Sequence, residues 1–229
     1  MNKTTFDAYE SNYDEVLQRG LSLSGENKDF FALGRIQILA RWLPNNSFPR
    51  VLDYGCGTGS ATPHLLGLPG LNSLVGADIS DRSIARARVT WLHPKVEFCN
   101  LSSLSTQAPF DLVFCNGVFH HIPVDERTEA LHQIHRCLKS GGVLAFWENN
   151  PWNPGTRWVM SRIPFDREAN LLWPGSTRRL LAHAGLEVIR THFAFIFPKA
   201  LRWLRWMEWP LHRIPFGAQY LILARKPKL

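Results

Sequence analysis

Residues 51–60, Val-Leu-Asp-Tyr-Gly-Cys-Gly-Thr-Gly-Ser, run an apolar stretch straight into an acidic residue and three glycines at alternate positions, Gly55, Gly57 and Gly59. A chain with this spacing must turn sharply after a strand and let something approach its backbone. Each missing Cβ opens left-handed φ values and removes the atom that would hold a ligand away. A strand, a tight loop and a helix are therefore expected in that order. Nineteen residues beyond Gly59, residues 74–80 read as a second buried strand ending on Asp78. A carboxylate there is placed to accept hydrogen bonds from the two hydroxyls of a ribose. The expectation is a βαβ unit that binds a nucleoside.

Three glycine-rich loops share this outline. A P-loop ends in Gly-Lys-Ser/Thr so that its lysine reaches the phosphates, whereas Gly59 is followed by Ser60, Ala61, Thr62 and Pro63. A dinucleotide fingerprint, G-x-G-x-x-G/A, fits from Gly57 only with Thr62 in place of the third small residue. The frame acid-x-G-x-G-x-G, starting at Asp53, fits throughout. Further on, short apolar runs alternate with helical stretches. A helix over 81–88 follows an N-cap at Ser80 or Asp81, and strands follow at 96–99 and 110–116. The latter runs into Gly117-Val118-Phe119-His120-His121, then come a helix over 124–138 and a strand after Gly141-Gly142. This is the pattern of a parallel sheet covered by helices on both faces. Ligands of such sheets bind at the carboxyl ends of the strands, and Tyr54 to Gly59, Asp78, and Asn116 to His121 all fall there.

In these segments, over about residues 30 to 150, the chain resembles the class I S-adenosylmethionine-dependent methyltransferases. The resemblance implies an α/β fold: a Rossmann-like, doubly wound, mostly parallel seven-stranded sheet with an antiparallel C-terminal strand pair. It implies one domain over residues 1–229, with capping helices in 1–43, a cofactor core in 44–150, and a substrate side in 151–229. The implied cofactor is S-adenosyl-L-methionine, with S-adenosyl-L-homocysteine as product. Asp53, Gly55, Cys56, Gly57 and Gly59 would flank its methionine part, Asp78 the ribose and Ile79 one face of the adenine, with Asn116 completing the set. Many relatives carry an aspartate after the third strand for the adenine amino group. Residues 99–103 here contain no acid, which leaves Asn100 or Ser102 as the acceptor. Residues 6–13 resemble the helix that small-molecule methyltransferases fold over the cofactor. Tyr9 and Tyr13, at i and i+4, share a helical face there and would line the pocket or serve as core contacts.

A sulfonium methyl is already activated, so such a protein has to hold a nucleophile in line with it and manage one proton. An oxygen acceptor gains from a general base that titrates near neutrality. His120 and His121 are the candidates, His121 in preference, against the alternative that either imidazole only braces the loop. His132, His135 and Cys137 decorate the polar face of an amphipathic helix, and no metal site is expected. None of the four cysteines has C-x-x-C spacing, and no disulfide is expected.

The charge is lopsided. Residues 151–229 hold thirteen Lys/Arg against four Asp/Glu, whereas residues 1–150 hold thirteen against fifteen; six of the nine tryptophans also lie after residue 150. The first basic segment leaves the fifth strand as Glu148, Asn150, Trp152, Arg157 and Arg162. These would meet a substrate at the crevice, the arginines holding a carboxylate or phosphate, or would form a tryptophan-packed loop with solvated arginines. The second, 198–215, lies between two strands at 186–197 and 218–224. A helical wheel over 198–210 puts Arg202, Arg205 and Glu208 on a narrow polar face, opposite Leu201, Trp203, Leu204, Trp206 and Met207. That apolar face would pack on the protein's own core, or meet a membrane interface or lipidic substrate.

The leading expectation is methyl transfer to a small or lipid-linked, anionic acceptor. A nucleic-acid methyltransferase using the basic third is the alternative, and a NAD(P)-dependent oxidoreductase stands behind it. No run is long enough to span a bilayer and the first residues lack a signal peptide's apolar core. A cytoplasmic protein, or one peripheral to a membrane through 198–210, is expected.

Overall fold

The computed structural model describes residues 24–106, 109–163 and 169–228, so Tyr9 and Tyr13 lie outside the described residues. Seven strands form one sheet: β1 (Arg50–Tyr54), β2 (Ser73–Asp78), β3 (Val96–Asn100), β4 (Phe110–Asn116), β5 (Leu138–Asn149), β6 (Glu187–Ala194) and β7 (Gln219–Arg225). Their spatial order is β3-β2-β1-β4-β5-β7-β6. The first five are mutually parallel, and β7 runs antiparallel between β5 and β6. The chain order reverses between β1 and β4, which opens a crevice at their carboxyl ends. The helices are α1 (Lys28–Trp42), α2 (Thr62–Leu65), α3 (Asp81–Thr90), α4 (Arg127–Cys137), α5 (Pro154–Arg162), α6 (Pro174–His183) and α7 (Glu208–Leu211).

Period-two alternation along the strands decides which layer each residue joins. Val51, Leu112 and Trp147 pack against Ile36 and Leu39 of α1 and Leu65 of α2. Their neighbours Leu52, Val113 and Phe146 face the other way, against Leu131 and Ile134 of α4 and Leu181 of α6. Both faces of the sheet are therefore buried, which is why its strands read as near-continuous apolar runs. Capping is local: Ser80 Oγ accepts from Ser83 N at 3.1 Å, making Ser80 rather than Asp81 the N-cap of α3. All four cysteines are free and buried. No described helix is long and apolar enough to cross a membrane.

Residues 198–215 depart from expectation. A 3-10 run, Lys199–Met207, kinks at Leu201 and leads into α7, and two polar residues of this stretch, Arg205 and Glu208, turn toward the protein. Arg205 Nη2 lies 2.9 Å from Glu26 Oε1, its guanidinium 4.4 Å over the Phe30 ring, and Glu208 Oε1 accepts from Phe197 N at 2.9 Å. Trp203 and Trp206 are 69% and 73% exposed, so the protein's own core does not cover them. The placement has a physical cause: Glu208 accepts from the backbone of the chain leaving β6, and pairing Arg205 with Glu26 fixes the run's rotation.

Candidate active site

Gly55 follows β1 with φ +74°, and a Cβ there would lie 2.3 Å from Val118 Cγ2, so only glycine fits. At Gly57, φ +54°, the space a Cβ would enter is open, with nothing within 4 Å. The carboxylate of Asp78 joins the two strand ends, accepting from Gly57 N at 2.8 Å and from Ser80 N at 2.9 Å. Ile79 beside it is 44% exposed, an apolar surface at the mouth of the crevice.

Asp53 lies beneath the loop, buried. Burial, then the neighbouring Asp78 carboxylate, push its pKa up from 3.8 to about 7, against the pull of Arg35. Asp53 Oδ2 and Asn116 Oδ1 are buried with no hydrogen-bond partner among the described residues. Buried acceptors without donors are uncommon. Two of them, near the carboxyl ends of the paired strands β1 and β4, fit a ligand that carries donor groups, as the ammonium and ribose of S-adenosylmethionine are.

At the end of β3, Asn100 Nδ2 donates to Asp81 Oδ1 at 2.8 Å, while its Oδ1 accepts from Ser102 N and Ser102 Oγ. Asn100 thus ties the strand end to α3, and Asp81 brings a carboxylate to this edge that spacing from the third strand does not reveal. Cys56 points inward among Ile84, Ala87 and Phe98, leaving its main chain beside the loop.

The histidine pair forms a single 3-10 turn, Phe119–His121, beyond β4. His120 Nδ1 lies 2.6 Å from Glu148 Oε2, and Glu148 Oε1 accepts from Phe119 N at 2.8 Å and His120 N at 3.3 Å. With the imidazole proton on Nδ1, the Glu148 carboxylate accepts from all three. Glu148 is 1% exposed and His120 3%. Glu148, expected at the substrate, is instead the anchor behind the loop. His121 is half-buried, its ring centroid 4.0 Å from that of His120.

Of the remaining predicted contacts, Asn150 is wholly buried, donating to Pro215 O and Gly217 O and accepting from Trp152 N. Its side chain pins the loop. Trp152 is half-exposed against Trp173 at 5.8 Å. Arg157 and Arg162 are exposed on α5, with Arg162 4.4 Å over the Trp158 ring. Arg35, Val118 and Asp81 carry no motif in the sequence. Their roles come from the proximity that folding creates.

The model of the methyltransferase domain family matches residues 51–142. A protein of Variovorax paradoxus named trans-aconitate 2-methyltransferase is 30% identical over 190 residues, covering 74% of this chain and 71% of the relative. A protein of the same name from Rhizobium rhizogenes is 32% identical over 105 residues, covering 45% of this chain. That match spans 40% of the Rhizobium relative, less than half its length. A TehB-like S-adenosylmethionine-dependent methyltransferase from Corynebacterium glutamicum shares the fold, with a TM-score of 0.64 at 20% identity over 97% of this chain and 100% of that one. With the glycine loop, the Asp78 bridge and the 3-2-1-4-5-7-6 sheet all in place, the chain belongs to the class I S-adenosylmethionine-dependent methyltransferases.

Proposed function

We propose that the chain methylates an oxygen of a small acceptor bearing several carboxylates, a reading carried by the unpartnered buried acceptors Asp53 Oδ2 and Asn116 Oδ1 at the carboxyl ends of β1 and β4, together with the exposed arginines of α5. When bound, the cofactor supplies an electrophilic methyl group. Asp78 would hold its ribose, Asp53 and Asn116 its amino-acid end, and Ile79 would lie under the adenine, with Asn100, Ser102 and Asp81 at that edge. Arg157 and Arg162 would read the acceptor's carboxylates. Support for the acceptor class comes from the relatives named trans-aconitate 2-methyltransferase.

A carboxylate is already ionised at neutral pH, so its methylation needs no base. The loop residues then act by placement: His121 touches the acceptor, and His120, held by Glu148, fixes where His121 sits. A hydroxyl acceptor is the second reading, favoured by the 2.6 Å contact, which orients an imidazole at the loop.

The test is transfer of labelled methyl from S-adenosylmethionine to trans-aconitate and related tricarboxylates, set against sugars and phenols. The proposal expects alkali-labile label on the tricarboxylates, as methyl esters are, with a rate at saturating S-adenosylmethionine that stays flat between pH 6 and 8, about two units above carboxylate ionisation. Alkali-stable label on hydroxyl acceptors, with a rate rising through the imidazole range, would replace it with the second reading.

A further inference from the structure

A run that folds in water turns its apolar side inward, and residues 199–207 leave two tryptophans and a leucine outside. In a 3-10 helix, residues three apart line up, so Trp203 and Trp206 form one row and Lys199, Arg202 and Arg205 the next. Arg205 bends inward to Glu26. Trp203 and Trp206 are 69% and 73% exposed and Leu201 is 41% exposed. Lys199 and Arg202 are exposed too, and neither is in an ion pair among the described residues. Glu208 is the single acid between residues 188 and 228, and it is turned onto Phe197 N. The outward surface therefore presents indoles, an aliphatic side chain and cations, with no negative charge from its own segment.

We propose that this surface, Lys199 to Trp206, docks the protein on an anionic lipid bilayer. Indole rings partition to the headgroup boundary, where one edge meets hydrocarbon and the N–H stays wet. Flanking Lys and Arg are attracted to negative headgroups. The two contributions are of the kind that must act together for reversible surface binding. A single-stranded nucleic acid would stack on the indoles but needs a track of phosphate contacts along a groove, and two cations beside an aliphatic leucine do not make one. A bilayer suits all five residues.

Co-sedimentation with vesicles tests this on the full chain. Wild type should pellet with mixed phosphatidylglycerol–phosphatidylcholine vesicles and far less with pure phosphatidylcholine, and added salt should weaken it. Trp203→Ala combined with Trp206→Ala should weaken partition at least about tenfold, and Arg202→Glu should weaken it on anionic vesicles alone. Both variants should keep the wild-type circular dichroism spectrum and urea midpoint, because the replaced side chains are exposed. Equal binding of wild type and the double variant, absence of wild-type binding to anionic vesicles, or preference for oligouridylate over vesicles would each overturn the proposal. The result is independent of which acceptor is methylated.

Discussion

The two parts of this molecule spend their polar atoms in opposite ways. In residues 51–149, acidic side chains gather at the carboxyl ends of neighbouring strands and keep capacity for something else. Asp78 bridges two loops, and Asp53 and Asn116 hold buried acceptors with no partner among the described residues. In residues 150–228, polar side chains close the fold on itself. Asn150 binds the carbonyls of Pro215 and Gly217, Asn153 that of Phe216, Thr156 that of Ala218, and Glu208 the amide of Phe197, while Trp203 and Trp206 are left outside. A cofactor site needs unspent acceptors on a rigid frame. Residues 150–228 have first to hold themselves together.

Glu148 belongs to the first part by position and to the second by behaviour, and replacing it should give the largest effect. Glu148→Ala strands two backbone N–H groups and the His120 ring N–H in a site that is 1% exposed. A loss of about 3–5 kcal/mol is expected, read as a lower urea midpoint. A loss under about 1 kcal/mol would mean that solvent or His121 takes over these donors and that Glu148 is not an anchor.

Next comes Asp78→Ala, which removes the acceptor for Gly57 N and Ser80 N and, on the proposed reading, for the ribose. Affinity for S-adenosylhomocysteine should fall by about 1.5–3 kcal/mol, measured by calorimetric titration on a variant shown to be folded. Unchanged affinity would take the ribose away from the end of β2.

How much of this was legible follows the same division. The loop at 53–59, the ribose acid and the strand order depend on backbone geometry. A glycine that must take positive φ, or an acid a fixed distance past it, is visible as spacing, and Gly55 and Asp78 stand where that spacing puts them. The basic third depends on how single side chains rotate, and a helical wheel does not hold that information. It gives Arg205 and Glu208 a polar face without saying that Glu26 and Phe197 N lie behind it. Glu148 was misplaced for a related reason. Its position at the end of β5 is a matter of topology, but its partner on the neighbouring loop becomes visible only once β4 and β5 are paired.

A pH experiment sharpens the contrast at Asp53. Because its folded pKa is raised to about 7 from 3.8, the stability linked to it is fully present below the unfolded value. That stability is lost as pH rises through about 7. Asp53→Asn should remove that loss, so that variant and wild type diverge between those two values. Product binding should run the other way. An ammonium group favours the ionised carboxylate, so wild-type affinity for S-adenosylhomocysteine should climb about tenfold from one unit below this pKa to one unit above it. In Asp53→Asn it should stay flat. A wild-type affinity independent of pH would detach Asp53 from the amino-acid end of the cofactor.

The smallest structural effect is expected at Arg157, exposed on α5. Arg157→Ala should move the urea midpoint by no more than about 0.5 kcal/mol, as surface changes away from any network do. Its value lies in the kinetics. An exposed guanidinium that only binds a carboxylate contributes equally in the ground state and the transition state, so its loss should raise KM several-fold and leave kcat unchanged. A fall in kcat at constant KM would mean that Arg157 acts on the reacting oxygen. In that case α5 joins the rigid, acceptor-rich part of the molecule and no longer belongs with the self-closing part.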